Sequence, residues 1–133
     1  MLVRDIEKAL RLSRDPSFKG AERPTGATLI DMVVALVSRD PSLPFSVGNV
    51  AKAARMTPNH FSTLFRRQTG KTFVEFLAAR RVAMGQELLR DPTLSISEIA
   101  QRVGFSDANY FSRRFRRLVG TTPRDWRESL SLM

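Results

Sequence analysis

Two stretches of this chain are variants of one another, and an internal repeat limits the possible folds more than composition does. VAKAARMTPNHFSTLFRRQTGKTFVEF, residues 50–76, can be laid over IAQRVGFSDANYFSRRFRRLVGTTPRDW, residues 99–126. Val50-Ala51 matches Ile99-Ala100, and Met56-Thr57 matches Phe105-Ser106. One extra residue follows in the second copy. Phe61, Ser62, Phe65, Arg66, Arg67 and Gly70 then match Phe111, Ser112, Phe115, Arg116, Arg117 and Gly120. Each copy is a short apolar-periodic piece, a break, and a longer periodic piece. In the longer piece of the second copy, Phe111, Phe115 and Leu118 recur at helical spacing and mark a buried face. Asn109, Ser112, Arg113 and Arg116 recur on the opposite face, which is small, polar and basic. Two helices, a tight turn and a second helix with an outer face able to hydrogen-bond base edges describe a helix-turn-helix. The turn falls at Gly104-Phe105-Ser106, with Ser106 or Asp107 placed to cap the second helix.

The flanking segments read as scaffold. Residues 2–13 predict a short amphipathic helix with Leu2, Ile6, Leu10 and Ser13 along one side, stopped at Arg14-Asp15-Pro16. Ser17 to Gly26, with Gly20 and Pro24, reads as a linker. Ala27 to Arg39 is a stronger helix, with Leu29, Met32, Val33, Leu36 and Val37 at core spacing, ended by Asp40-Pro41. Ser46 caps the first scaffold helix, which runs to about Ala54. Thr57 caps the helix after it, with Pro58 at its first position, where a missing N–H costs nothing. Ser95 and Glu98 spell a capping box for the second scaffold helix, and Asn49 gives the first a weaker one. Thr72 to Arg90 predicts one long connecting helix of roughly 28 Å. Val74, Leu77, Ala78, Arg81, Val82, Gly85, Leu88 and Leu89 form its core stripe. Arg81 and Gly85 stand out there. The arginine is expected to be partly buried and paired to a carboxylate or to carbonyls. The glycine marks either a close helix–helix approach or a weak spot costing about 1 kcal/mol. Reading helices held near the two ends of such a rod would lie about one DNA turn apart, ~34 Å.

Charge points the same way. The net charge is +9, and it is unevenly placed: residues 1–45 carry 7 basic and 6 acidic side chains, residues 46–133 carry 15 and 7. Of the 22 basic residues, 18 are arginine, the side chain best suited to bidentate contacts with phosphate and guanine. A basic excess centred on the repeated unit favours nucleic acid over a merely solvated surface. At 133 residues the chain is one compact domain, or two very small ones sharing a helix. No run approaches the ~18 apolar residues of a membrane span, and the charged N-terminus is not a signal peptide. With no cysteine there is no disulfide, thiolate metal site or cysteine nucleophile, which fits the reducing cytoplasm.

Ala100, Val103, Gly104, Phe105, Asp107, Tyr110, Phe111, Arg113, Phe115, Gly120, Thr122, Pro123, Trp126 and Arg127, at their spacing, resemble the DNA-binding domain of the AraC/XylS family of bacterial transcription regulators. The resemblance covers roughly Ala27 to Leu130. It implies an all-α, homeodomain-like fold of two helix-turn-helix subdomains joined by a long linker helix. The division it suggests is 1–26 for an N-terminal helix and linker, 27–71 for the first subdomain, 72–91 for the linker helix and 92–133 for the second subdomain. It further implies an activator that contacts RNA polymerase near a promoter, though repression is also found in the family and the residues themselves do not set the sign; no cofactor is expected. The family keeps an arginine at position 81, usually has alanine where this chain has Gly85, and mostly has arginine where this chain has Thr63.

The candidate contact residues follow from the two outer faces. Asn109, Ser112 and Arg113 are placed against base edges, as are Asn59, Ser62 and Thr63 with His60 beside them. Arginine pairs best with guanine and asparagine with adenine. Arg66, Arg67, Arg116 and Arg117 are placed on phosphates, with the helix starts at Ser46 and Ser95. The bland alternatives are a solvated helix face and a favourable charge at a helix C-terminus, the latter worth a few tenths of a kcal/mol. His60, the single histidine, has no cysteine to join in a metal site. No catalytic constellation is apparent, so the chain reads as a non-enzyme. The expectation is a monomer on double-stranded DNA. Its rivals are a nonspecific or architectural nucleic-acid-binding protein and an adaptor that binds polymerase first.

Overall fold

The computed structural model describes residues 2–10 and 25–132, and all regular structure among them is helical. Among the described residues eight helices follow in order: α1 (Leu2–Leu10), α2 (Gly26–Arg39), α3 (Val47–Ala53), α4 (Pro58–Thr69), α5 (Phe73–Leu88), α6 (Ile96–Arg102), α7 (Ala108–Val119) and α8 (Pro123–Leu130). The chain divides into two compact units. The division falls inside α5, between Phe76 and Leu77, and assigns Pro41–Leu43 to the second unit. Ser13, the Arg14-Asp15-Pro16 stop, Gly20 and Pro24 lie outside the described residues.

In the first unit, α3 and α4 form a helix-turn-helix on which α2 and α1 pack. Its centre is a ring of phenylalanines. Phe61, Phe65 and Phe73 stand with centroids 5.4–5.7 Å apart. Two of the three pairs meet edge-on, the arrangement that aromatic quadrupoles favour. On α2 the buried residues are Ile30, Val33 and Val37, while Leu29, Met32 and Leu36 are only half-buried. The core side is therefore rotated from the expected stripe, towards Ile30. On α1, Ile6 and Leu10 are buried, and the helix lies against α3 and α2.

In the second unit, the rest of α5 packs with α6 and α7 around Val82, Leu89, Ile99, Val103, Phe111 and Phe115. α8 closes it, with Trp126 edge-on to Phe115 at 6.1 Å. Phe76 meets Phe65 in the same way in the first unit, at 5.5 Å. α8 is therefore the repeat counterpart of the first turn of α5, and both begin on a capping threonine. Thr72 accepts from the backbone N–H of Glu75 and Thr122 from that of Asp125.

α5 is shorter than the expected rod, at 16 residues. Val74 is not part of its core stripe: it is 52% exposed, and Phe73 is buried in its place. The first turn of α5 answers to the phenylalanines of the first unit, so its inward direction is set by Phe73 rather than by the stripe further on. Arg81 is half-buried and satisfied by carbonyls, donating from Nε to Pro41 O at 2.8 Å and from Nη2 to Leu43 O at 2.7 Å. Burial pushes its pKa down, with the charge interaction with Tyr110 opposing. Arg127 works alike for α8, donating to Leu89 O and Asp91 O at 3.0 and 3.1 Å.

Gly85 is a close approach. A Cβ there would stand 2.9 Å from Cε1 and Cζ of Phe111. Leu118, expected on the buried face of α7, is 48% exposed, whereas the neighbouring Val119 packs partly on the core. The inward line of α7 continues from Phe111 and Phe115 at four-residue steps to Val119, which leaves Leu118 at the edge of the buried face.

Candidate nucleic-acid interface

The two helix-turn-helices are built by the same hydrogen bonds. In the first turn Arg55 N donates to Lys52 O at 3.1 Å and Met56 N to Ala51 O at 2.9 Å. In the second, Gly104 N donates to Gln101 O at 3.1 Å and Phe105 N to Ala100 O at 2.9 Å. Both turns need one residue in the left-handed region. The second uses Gly104 at φ 100°, while the first uses Arg55 at φ 58°, a conformation that side chains adopt at a cost. At Gly104 space matters too, since a Cβ would meet Ser42 O at 2.8 Å and Arg81 Nε at 2.9 Å.

Each outer helix starts on a capping side chain. Thr57 accepts from His60 N at 3.1 Å, with Pro58 at the first helical position. At α7 the cap is Asp107, which accepts from Tyr110 N. Ser106 is thus the additional residue of the second turn, and of the two candidate caps the aspartate is used. Its negative charge also suits a helix N-terminus.

The scaffold helices reverse the expected order of caps. At α3 the box is complete: Asn49 N donates to Ser46 Oγ at 3.1 Å, and Ser46 N donates to Asn49 Oδ1 at 2.9 Å. At α6 only the forward half forms, from Glu98 N to Ser95 Oγ at 3.0 Å. The reason is anchoring. The Asn49 amide also donates to Pro44 O at 2.8 Å, which fixes its oxygen towards Ser46 N, whereas the longer Glu98 side chain stays in solvent.

Residues 61–70 and 111–120 have the same burial at every position. Phe61 and Phe65 point inward, as do Phe111 and Phe115, each at 0% exposure. On the outer side of α4, Asn59, His60, Thr63, Arg66 and Arg67 are exposed, and on α7 so are Asn109, Arg113, Arg116 and Arg117. Ser62 and Ser112 are half-buried, at the margin of each face rather than its centre. Ser46 and Ser95 are exposed at the N-termini of α3 and α6. Among the described residues, Arg66, Arg67, Arg116 and Arg117 have no carboxylate within ion-pair distance. Their charge is unneutralised from within the described chain.

Two features of α7 were not picked out from the sequence. The guanidinium of Arg113 lies 5.9 Å from the centroid of the Tyr110 ring. Helical i, i+3 spacing was the available signal. The other is Arg114, half-buried where α4 has Leu64, whose Nε is buried without a hydrogen-bond partner. Among the described residues there is no group of three or more histidine or acidic side chains able to hold a metal, and no helix long and apolar enough to cross a membrane.

Residues 50–129 match the helix-turn-helix domain family. The chain is 38% identical over 109 residues to the HTH-type transcriptional activator RhaR of Cronobacter sakazakii, covering 82% of this chain and 38% of the relative. It therefore spans well under half the length of that relative. The DNA-binding domain of AdpA, a global transcriptional factor solved with a target DNA, is 31% identical with a TM-score of 0.70, covering 75% of this chain and 90% of that one. The C-terminal domain of AraT, a response regulator from Geobacillus stearothermophilus, superposes with a TM-score of 0.71 at 26% identity, covering 81% and 88%. With its duplicated helix-turn-helix and the shared helix α5, the chain belongs to the AraC family of helix-turn-helix domains.

Proposed function

We propose that this chain is a sequence-specific regulator of transcription, an activator, that binds double-stranded DNA in two successive major-groove segments through α4 and α7. The observation that carries the reading is the repeated outer face: polar residues followed by an arginine pair with no carboxylate partner among the described residues, in the same order on both helices. Asn59, His60, Ser62 and Thr63 on α4, and Asn109, Ser112 and Arg113 on α7, face base edges. Arg66, Arg67, Arg116 and Arg117 neutralise phosphates, and the α3 and α6 N-termini at Ser46 and Ser95 add N–H donors. A related domain that binds a target DNA and a relative named as an activator support this assignment. Carrying two readers on one chain, the protein acts as a monomer in the cytoplasm on one asymmetric site, and activation works through contact with RNA polymerase.

The experiment is selection from random duplexes, followed by competition of the selected duplex against bulk genomic DNA. A specific regulator discriminates by ~10³ or more. Inserting about five base pairs between the half-sites turns one groove to the far side and should abolish joint binding. A ratio near one would instead identify an architectural binder. Polymerase binding without DNA binding would identify an adaptor, and a selected palindrome would make the working form a dimer.

A further inference from the structure

We propose that Tyr110 is a positioning residue for the second reader: its ring holds the Arg113 side chain in place, so that selectivity for guanine depends on a residue that need not touch the DNA. The inference rests on the assignment of Arg113 to a base edge made above. A solvent-exposed arginine has many rotamers and loses most of them on docking in a groove, a cost that preorganisation reduces. Arg113 is exposed, yet its guanidinium carbon lies 5.9 Å from the Tyr110 centroid, within reach of a cation–π attraction.

The ring that holds it is itself held. Tyr110 is half-buried, its backbone N–H donates to the Asp107 cap, and its ring meets that of Phe105 at 5.5 Å and 73°. Phe105 in turn is buried at the turn, with its N–H on Ala100 O at 2.9 Å. A chain of fixed groups thus runs from the turn of the second helix-turn-helix to the exposed arginine. The repeat supplies an internal comparison. Where the second copy has Phe105, Tyr110 and Arg113, the first has Met56, His60 and Thr63. All three members of the stack change together, and the aromatic support is present in the copy that has an arginine to support.

Two measurements test this, one without DNA. In the free protein, the Arg113 δ-methylene protons should show an upfield ring-current shift that survives Tyr110→Phe and disappears in Tyr110→Leu. Binding is then measured on the selected duplex and on one with the Arg113 base pair exchanged. Tyr110→Leu should lower discrimination between the two by about two- to fivefold, the size of an exposed cation–π contact. Tyr110→Phe should retain full discrimination, and in an Arg113→Ala background Tyr110→Leu should change nothing further. Equal loss on both duplexes, an absent ring-current shift, or Tyr110→Phe as damaging as Tyr110→Leu would each overturn the proposal. If Arg113→Ala itself leaves discrimination intact, the base-edge assignment falls and the proposal with it. If Arg113→Ala abolishes discrimination while Tyr110→Leu is harmless, only the proposal about Tyr110 falls.

Discussion

Replacing Gly85 with alanine sets two effects of known size against each other. An alanine in a helix interior is better than glycine by up to about 1 kcal/mol, so α5 taken alone would gain. Against that, the new Cβ would stand 2.9 Å from two atoms of the Phe111 ring, where ordinary contact begins at 3.4 Å. The ring would have to withdraw by at least about 0.5 Å, the difference between those distances. It has no room to do so cheaply, because Phe111 is fully buried with Phe105 at 5.3 Å and Phe115 at 5.7 Å. Overpacking of a tight core costs roughly 1–3 kcal/mol. Packing therefore outweighs propensity, and we expect Gly85→Ala to destabilise by about 1 kcal/mol net, lowering Tm by roughly 3–5 °C. The decisive assay is a thermal and urea double-mutant cycle with Phe111→Leu, which removes the two obstructing atoms. In that background the helix term acts alone, and Gly85→Ala should be stabilising. A rise in Tm of the same size in both backgrounds would refute the close-approach account and leave Gly85 a weak spot in the helix.

The two turns should respond in opposite directions: Gly104→Ala strains a positive φ and drives a Cβ against Ser42 O, so it should cost several kcal/mol. Arg55→Gly should stabilise by up to about 1 kcal/mol, read as a higher urea midpoint, since it relieves a left-handed non-glycine residue. Arg114→Leu, which copies Leu64 of the first unit, removes a buried donor without an acceptor and should stabilise by about 1 kcal/mol, checked by urea unfolding. On DNA, affinity should fall something like 10³-fold between 50 and 200 mM salt if about six phosphates are contacted, and a flat dependence would count against the interface. Arg116→Ala should weaken all duplexes alike, whereas Arg113→Ala should cost ~1–3 kcal/mol on the selected site only.

Most of the architecture was legible because the repeat and the caps are local signals. Phe61, Phe65, Phe111 and Phe115 lie where their spacing puts them, and Ser46, Thr57 and Ser95 cap the helices they precede. The carbonyl pairing of Arg81 was foreseeable in kind, since a charge in an apolar stripe must find partners, but not in identity, because Pro41 and Leu43 are remote in sequence. What could not be read depends on what lies opposite. Val74 and Leu118 fit a helical period but lose the inward position to their neighbours Phe73 and Val119, while α1 and Ile30 find cover that nothing local foretells. The capping boxes failed for a subtler reason. Glutamate is the better partner by sequence statistics, yet Asn49 completes its box because a third group, Pro44 O, fixes the amide. For the candidate site, the outer faces were visible as stripes, but the contact between Tyr110 and Arg113 required side-chain positions.

The two copies diverge in a patterned way that bears on how they divide the work. On the core side they are nearly interchangeable, position for position, because any change there must preserve a phenylalanine-centred packing. On the outer side they share the arginine pairs but differ at the centre of the face, where α7 has a held arginine and α4 has Thr63, a short hydroxyl and a methyl. A hydroxyl tolerates either base partner, whereas a bidentate arginine favours guanine. On the scaffold side they differ again: α3 carries a buried Ala53 where α6 carries an exposed Arg102, and α3 has an additional neighbour in α1. The first unit thus has the additional helix and the complete cap, and on the proposed reading the second has the arginine that reads guanine. A selected site should therefore be sharply defined under Ala108–Arg117 and loose under Pro58–Arg67, with the loose half contributing through phosphate contacts and DNA shape. Equal information content in the two halves would show that the shared arginine pairs, and not the centres of the faces, set the preference.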